Sequence, residues 1–264
     1  MFWKRPMKFQ ELVRKVYPNG KVNPHLFSYF GEMRLDRITS LMIEDYKTQR
    51  LQTVKPSSVN RELSAIKHSF NQAILWGLAS KNPMRGIKML KETPKDRWLT
   101  YAEEERLLSE SPDWLKPIIL VDINTGLRLS EILNLEWSDV DLIGRTLTVS
   151  KSKNGEPRII PLNSPTYQVL NSLTQSEMTD KVFNRGPSYV SHAFRKVCKL
   201  VGLVDVTFHT LRHTFATRLT QHNVNVFAIQ KLMGHKTLAM TERYSHHSIA
   251  SLKPYVEQLI YVNE

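Results

Sequence analysis

Cysteine is nearly missing from this sequence: Cys198 is the only one among 264 residues. One thiol cannot close a disulfide within a chain, so no disulfide framework holds the fold, and a reducing cell interior fits. Cys198 lies in the apolar helical pattern FRKVCKLV and is expected to be a buried core thiol. Long hydrophobic runs are missing too. A membrane-spanning helix needs about 18 consecutive apolar residues. The longest candidate, WLKPIILVDI, is broken by Lys116, Pro117 and Asp122. The opening MFWKRPMK lacks the apolar run of a signal peptide. Internal repeats and low-complexity tracts are absent. A membrane partner is therefore not expected, and a cytoplasmic location is.

Acidic residues are scarce in one part of the chain. Residues 1–95 hold 18 Lys+Arg against 7 Asp+Glu, a net of +11, while residues 96–264 hold 19 against 18. Almost all of the overall +12 thus sits in the first third. So one-sided a charge suggests a phosphate-binding part joined to a near-neutral part with another task. Its affinity for nucleic acid should fall with salt. Apolar residues make up 41%, enough for real cores, and the length suits two domains.

Periodicity supplies the elements. SLMIEDYKTQRL (40–51) puts Leu41, Ile43, Tyr46 and Leu51 near one helical stripe, with Ser40 as N-cap. In 56–78, Val59, Leu63, Ile66, Phe70 and Ile74 recur at spacings of three and four, which predicts a longer amphipathic helix. Residues 1–90 read as a small, basic, all-helical domain. Residues 91–97 read as a polar linker containing Pro94, and 98–264 as a second domain. Thr100 with Glu103 forms a capping-box signature for a helix to about Ser109. Helices follow at 114–124 and 129–135. RTLTV (145–149) and PRIIPL (157–162) flank KSKNGE, a β-hairpin with Asn154-Gly155 in its turn. Helices fill the remainder. The fold class is mainly α with a small antiparallel sheet, an α+β architecture in two domains.

Four segments carry candidate chemistry: TGLRLSEIL (125–133), SKSKNGEPRIIPL (150–162), FHTLRHTFAT (208–217) and LMGHKTLAMTERYSH (232–246). Metal-free phosphodiester transfer needs a nucleophile, cations for the non-bridging oxygens, and an acid for the leaving oxygen. Arg suits the oxygens, because its planar fork binds phosphate bidentately and keeps its charge. Arg128 and Arg212 both lie in apolar settings, where a charge is costly unless it faces a partner. His209 and Arg212 are three apart and share a face of a helix. His209 and His213 are four apart and His246-His247 adjacent, a pattern that also occurs in metal hydrolases. Arg stands where a zincin has its Glu, however, and a third ligand motif is lacking. His213 reads as a packed or capping histidine.

Together these segments resemble the tyrosine recombinases, the family of phage and prophage integrases and of recombinases that resolve chromosome dimers. TGLR-LSEI, HTLR, and LMGH followed nine residues later by the tyrosine of TERY match its motifs, with 23 residues from Arg212 to His235. FGEMRLDRIT (30–39) and residues 56–83 are similar to its core-binding domain. The resemblance implies a two-domain DNA clamp that cuts and rejoins double-stranded DNA without metal, ATP or other cofactor. It implies that Tyr244 attacks the scissile phosphate to give a 3′-phosphotyrosine. Arg128 and Arg212 would hold the phosphate, His235 would donate to a phosphate oxygen, and His209 would assist proton transfer around the phosphate and Tyr244. Lys153 is the expected general acid, with Lys151 as rival, and Glu131 an orienting residue. Implied partners are attachment-type DNA sites, three further copies in a tetramer on paired sites, and an accessory DNA-bending protein, in a bacterial cell or phage-infected host. The sequence departs from many phage integrases in lacking an arm-binding domain and in a short first helix around 10–16. A minimal recombinase and a truncated prophage remnant that only binds DNA both fit that departure. A type IB topoisomerase is the rival with similar chemistry. The apolar stripe Ile249, Leu252, Val256, Leu259 and Ile260 suits docking on a neighbouring copy or on its own domain.

Overall fold

The computed structural model describes residues 7–19, 24–92, 97–150, 157–173, 180–242 and 244. The chain divides into two compact units, Met1–Pro94 and Lys95–Glu264.

The first unit is helical: α1 (Phe9–Val16), α2 (Pro24–Phe30), α3 (Ser40–Leu51) and α4 (Pro56–Leu75). Val59, Leu63, Ile66 and Phe70 of α4 are buried, as the spacing predicts, and pack with Phe9, Leu12 and Phe30. Ile74 is half exposed, because α4 ends at Leu75 and Gly77 turns the chain in the left-handed region. In α3 only Ile43 and Tyr46 of the expected stripe are buried; Leu41 and Leu51 face solvent. The N-cap is Thr39, not Ser40: the Thr39 hydroxyl accepts from the Met42 N–H. Ser40 instead donates to the Pro83 carbonyl at 2.6 Å. A buried Glu62 joins α4 to α3, accepting from the Tyr46 hydroxyl at 2.7 Å and from Arg50 at 2.8 Å. Asn60 pairs with both backbone groups of Leu90, which fixes to α4 the residue just before the segment read as a linker.

The second unit opens with α5 (Tyr101–Ser109), capped by the Thr100–Glu103 box. Helices α6 (Lys116–Thr125) and α7 (Leu129–Ile132) follow, then a three-stranded antiparallel sheet. Its strands are β1 (Val140–Asp141), β2 (Thr146–Val149) and β3 (Arg158–Pro161). The expected hairpin is β2–β3, with Val149 opposite Arg158; its turn lies outside the described residues. The additional strand β1 pairs Val140 with Leu147. Helices α8 (Ser164–Leu173), α9 (Pro187–Leu200), α10 (Phe208–Gln221), α11 (Val226–Met233) and α12 (Ala239–Glu242) complete the described chain. Helix α6 packs against α8 and α10 at the centre of this unit. Cys198 is buried in the same core, and burial pushes its thiol up to about 11.

Gly126 ends α6 in the left-handed conformation, φ 63°. A Cβ there would run into the Phe215 ring of α10. Gly126→Ala combines backbone strain with overpacking and is expected to cost about 2–3 kcal/mol in urea unfolding. A loss under about 0.5 kcal/mol would mean the turn has an unstrained alternative. Among the described residues, no helix is long and apolar enough to cross a membrane.

Candidate active site

The turn after α6 carries Arg128, and α7 carries Glu131. The Arg128 backbone N–H donates to the Glu131 carboxylate at 2.9 Å, which starts the short helix α7. The Arg128 side chain donates to the same carboxylate at 2.9 Å. Arg158, projecting inward from β3, takes its other side at 2.7 Å. Glu131 is thus shared by two guanidinium groups. Burial alone raises its pKa, but the hydrogen bonds from Arg158 and the Arg128 backbone outweigh this and hold it below the usual range. Arg158 also donates through Nε to the Leu232 carbonyl at 3.0 Å, and so ties β3 to the end of α11. Gly234, capping α11 with φ 61°, lies close: a Cβ there would stand 2.9 Å from Arg158 Nη1.

Arg212 comes from α10 and is 2% exposed. Its guanidinium donates to the carbonyls of Gly126 and Met233, the last turns of α6 and α11. Burial, then the charge of Arg128, lowers its pKa to about 10, so it remains charged at neutral pH. Asp122 of α6 lies beneath, fully buried, with Oδ1 making no hydrogen bond. Burial raises its pKa above the ordinary carboxylate value against the pull of Arg212.

His235 follows Gly234. Its Nδ1 pairs with the buried Thr241 hydroxyl at 2.8 Å. Burial first, then the charges of Arg212, Arg128, His209 and His213, lower its pKa to about 4. A neutral imidazole whose Nδ1 accepts from Thr241 carries its proton on Nε2, the nitrogen left to donate. The same couplings draw Arg128, Arg212, His209 and His235 into one neighbourhood, although they span 108 sequence positions.

Tyr244 packs its ring on the small cluster formed by Phe215, Ala216, Ile229 and Met233. Its backbone N–H donates to the Thr241 carbonyl at 2.9 Å. Its hydroxyl is hydrogen-bonded to Nδ1 of His213, the residue after Arg212. His213, read as a packed or capping histidine, is half-buried, and this partner lies 31 residues further on, across two helices. His209 stands edge-on to His213 with ring centroids 4.5 Å apart. Among the described residues, no group of three or more His, Cys, Asp or Glu is arranged to hold a metal ion. Lys151, Lys153 and the stripe from Ile249 to Ile260 lie outside the described residues. Sequence reasoning missed Arg158, Thr241 and the contact of His213. Arg158 alone left a signal, as a charge among the inward positions of a strand.

Residues 97–250 match the family model described as the phage integrase family. The chain belongs to that family, the tyrosine recombinases. A putative integrase/recombinase of Haemophilus influenzae is 35% identical over 252 residues, covering 87% of this chain and 82% of that protein. The shufflon-specific DNA recombinase of Escherichia coli is 30% identical, covering 80% of this chain and 59% of that protein. This tyrosine recombinase also shares its fold with a lambda integrase solved as a dimer bound to a core site. The TM-score is 0.76 at 20% identity, over 98% of this chain and 80% of that one.

Proposed function

We propose that this tyrosine recombinase is a site-specific, phage- or prophage-type integrase that cuts and rejoins DNA through a 3′-phosphotyrosine on Tyr244. Its hydroxyl oxygen attacks the scissile phosphorus, and the 5′ oxygen leaves as a hydroxyl. Arg128 and Arg212 hold the non-bridging oxygens, and a charge-assisted fork aimed at a crowded phosphorane stabilises it as it forms. His235 donates from Nε2 to a phosphate oxygen, His209 assists proton transfer there, and Lys153 protonates the departing 5′ oxygen. Glu131 orients Arg128. The phosphotyrosine conserves the energy of the broken bond, so rejoining needs no ATP. Metal has no role in these steps.

The observation that carries this reading is the hydrogen bond of the Tyr244 hydroxyl with His213 of α10, next in sequence to Arg212, whose guanidinium is held by two backbone carbonyls. A preset cation costs no reorganisation at the moment of reaction. The basic first unit would grip phosphates as one half of a clamp on double-stranded DNA, and exchange between paired sites would use four copies of the chain. DNA bending by an accessory protein would bring such sites together.

The test is incubation with candidate attachment-site duplexes nicked near the crossover, so that the released strand diffuses away. A protein–DNA adduct that survives denaturing electrophoresis, disappears on proteolysis and forms equally in chelator is the expected result. Absence of any adduct over a panel of such duplexes, with binding intact, would overturn the assignment.

A further inference from the structure

We propose that His213 is the group that takes the proton from the Tyr244 hydroxyl as its oxygen attacks phosphorus; this rests on Tyr244 being the nucleophile. A phenol has a pKa near ~10, so at neutral pH its proton must leave as the new bond forms. The proton acceptor must lie within hydrogen-bonding reach of the oxygen. His213 Nδ1 occupies that position. The two rings are tilted by 48° with centroids 5.6 Å apart, so the contact runs edge to edge through nitrogen and oxygen and is not a ring stack.

Three neighbouring groups are unsuited to this task. Guanidinium groups have no acceptor, which removes Arg128 and Arg212. His235 commits its Nδ1 to Thr241 and its other nitrogen is a donor in that tautomer. His209 meets His213 edge-on with ring centroids 4.5 Å apart and backs it on the same face of α10. Both partners of the contact are held from behind. His213 lies on α10, whose next residue, Thr214, anchors the start of the unit by accepting from the Leu99 N–H at 2.9 Å. Tyr244 is held by its ring cluster.

The step balances. The Tyr244 Oη–P bond forms while the O–H proton passes to His213 Nδ1. The P–O5′ bond breaks, and the 5′ oxygen receives a different proton from the acid on the leaving side. On rejoining, the 5′ hydroxyl attacks, the Oη–P bond breaks, and the imidazolium of His213 returns its proton to the phenolate. No oxidant, metal or further reactant enters.

Two variants of the full chain test this. His213→Asn puts an amide oxygen near the Nδ1 position, which accepts a hydrogen bond but not a proton at neutral pH. His213→Phe removes the contact. Each is measured in single turnover on a nicked duplex that the parent chain cleaves. One duplex carries an ordinary phosphodiester and the other a 5′-bridging phosphorothiolate, whose sulfur leaves without protonation. Expected are unchanged duplex binding and cleavage slowed about 100-fold or more by His213→Asn, equally on both duplexes. Lys153→Ala, acting on the leaving side, recovers on the sulfur duplex. Cleavage by His213→Asn within about threefold of the parent would overturn the proposal, because a hydrogen bond alone would then suffice. So would selective recovery of His213→Asn on sulfur, which would move its role to the leaving oxygen. His213→Asn decides the matter if His213→Phe fails to fold. Peptide mapping separates the two ideas. A parent adduct on a residue other than Tyr244 sinks the functional reading, whereas a Tyr244 adduct formed undiminished by His213→Asn sinks only this one.

Discussion

Tyr244→Phe is expected to bind duplex DNA as the parent chain does and to form no covalent adduct, a loss below the limit of a denaturing gel. The substitution removes one oxygen and leaves the ring. That ring still packs on Phe215, Ile229 and Met233, so the local fold keeps its apolar contact. The hydroxyl's hydrogen bond to His213 is lost, at a cost of about 1 kcal/mol, too little to unfold a domain of this size. Any defect therefore belongs to the chemical step. Binding by gel shift beside adduct formation separates the two in one experiment. Covalent trapping by Tyr244→Phe would exclude Tyr244 as the nucleophile, and with it the reading of the whole site.

Arg212→Ala is expected to slow single-turnover cleavage by about 10³-fold or more, while duplex affinity falls far less. A guanidinium that strengthens its bonds as charge builds on the phosphate contributes mainly to the transition state. Arg212 is buried, however, and the Ala variant strips the Gly126 and Met233 carbonyls of their donor. Stability would fall as well, and urea unfolding must be measured beside the rate. Arg212→Lys resolves the ambiguity. It keeps a charge in the same place but not the planar fork, so it should remain slow while recovering part of the stability. Parent-like cleavage by either variant would refute the role given to Arg212.

What was legible in the sequence follows a physical division. Helix α4 was readable because four of its apolar residues recur at helical spacing and all four are buried. Helix α3 was readable as an element, but not in its buried face. At about 100° per residue Leu41 lies on the side of the helix away from Ile43, and Leu51 is its last residue. Strand β1 has two residues, too few to display a period, and exists only through its pairing with β2. Arg128, Arg212, His209, His235 and Tyr244 could be named because each lies in a short run of distinctive residues. The contacts that set their state could not. Thr241 beneath His235, Arg158 across Glu131, and His213 against Tyr244 join residues that only tertiary folding brings together.

Strand β3 reverses the usual arrangement: Arg158 and Ile160 point inward, while Ile159 is 64% exposed. Sliding β3 by one residue against β2 would exchange those faces, hiding Ile159 but baring Ile160 and releasing Arg158 to water. One isoleucine would be traded for another, so oil-and-water preference gives the slipped pairing no advantage. The Glu131 carboxylate and the Leu232 carbonyl would lose their guanidinium as well. The cationic site and the apolar core therefore favour the same alignment of the hairpin, and a neutral substitute at 158 should cut the tie from β3 to α11 while leaving the strand pairing in place.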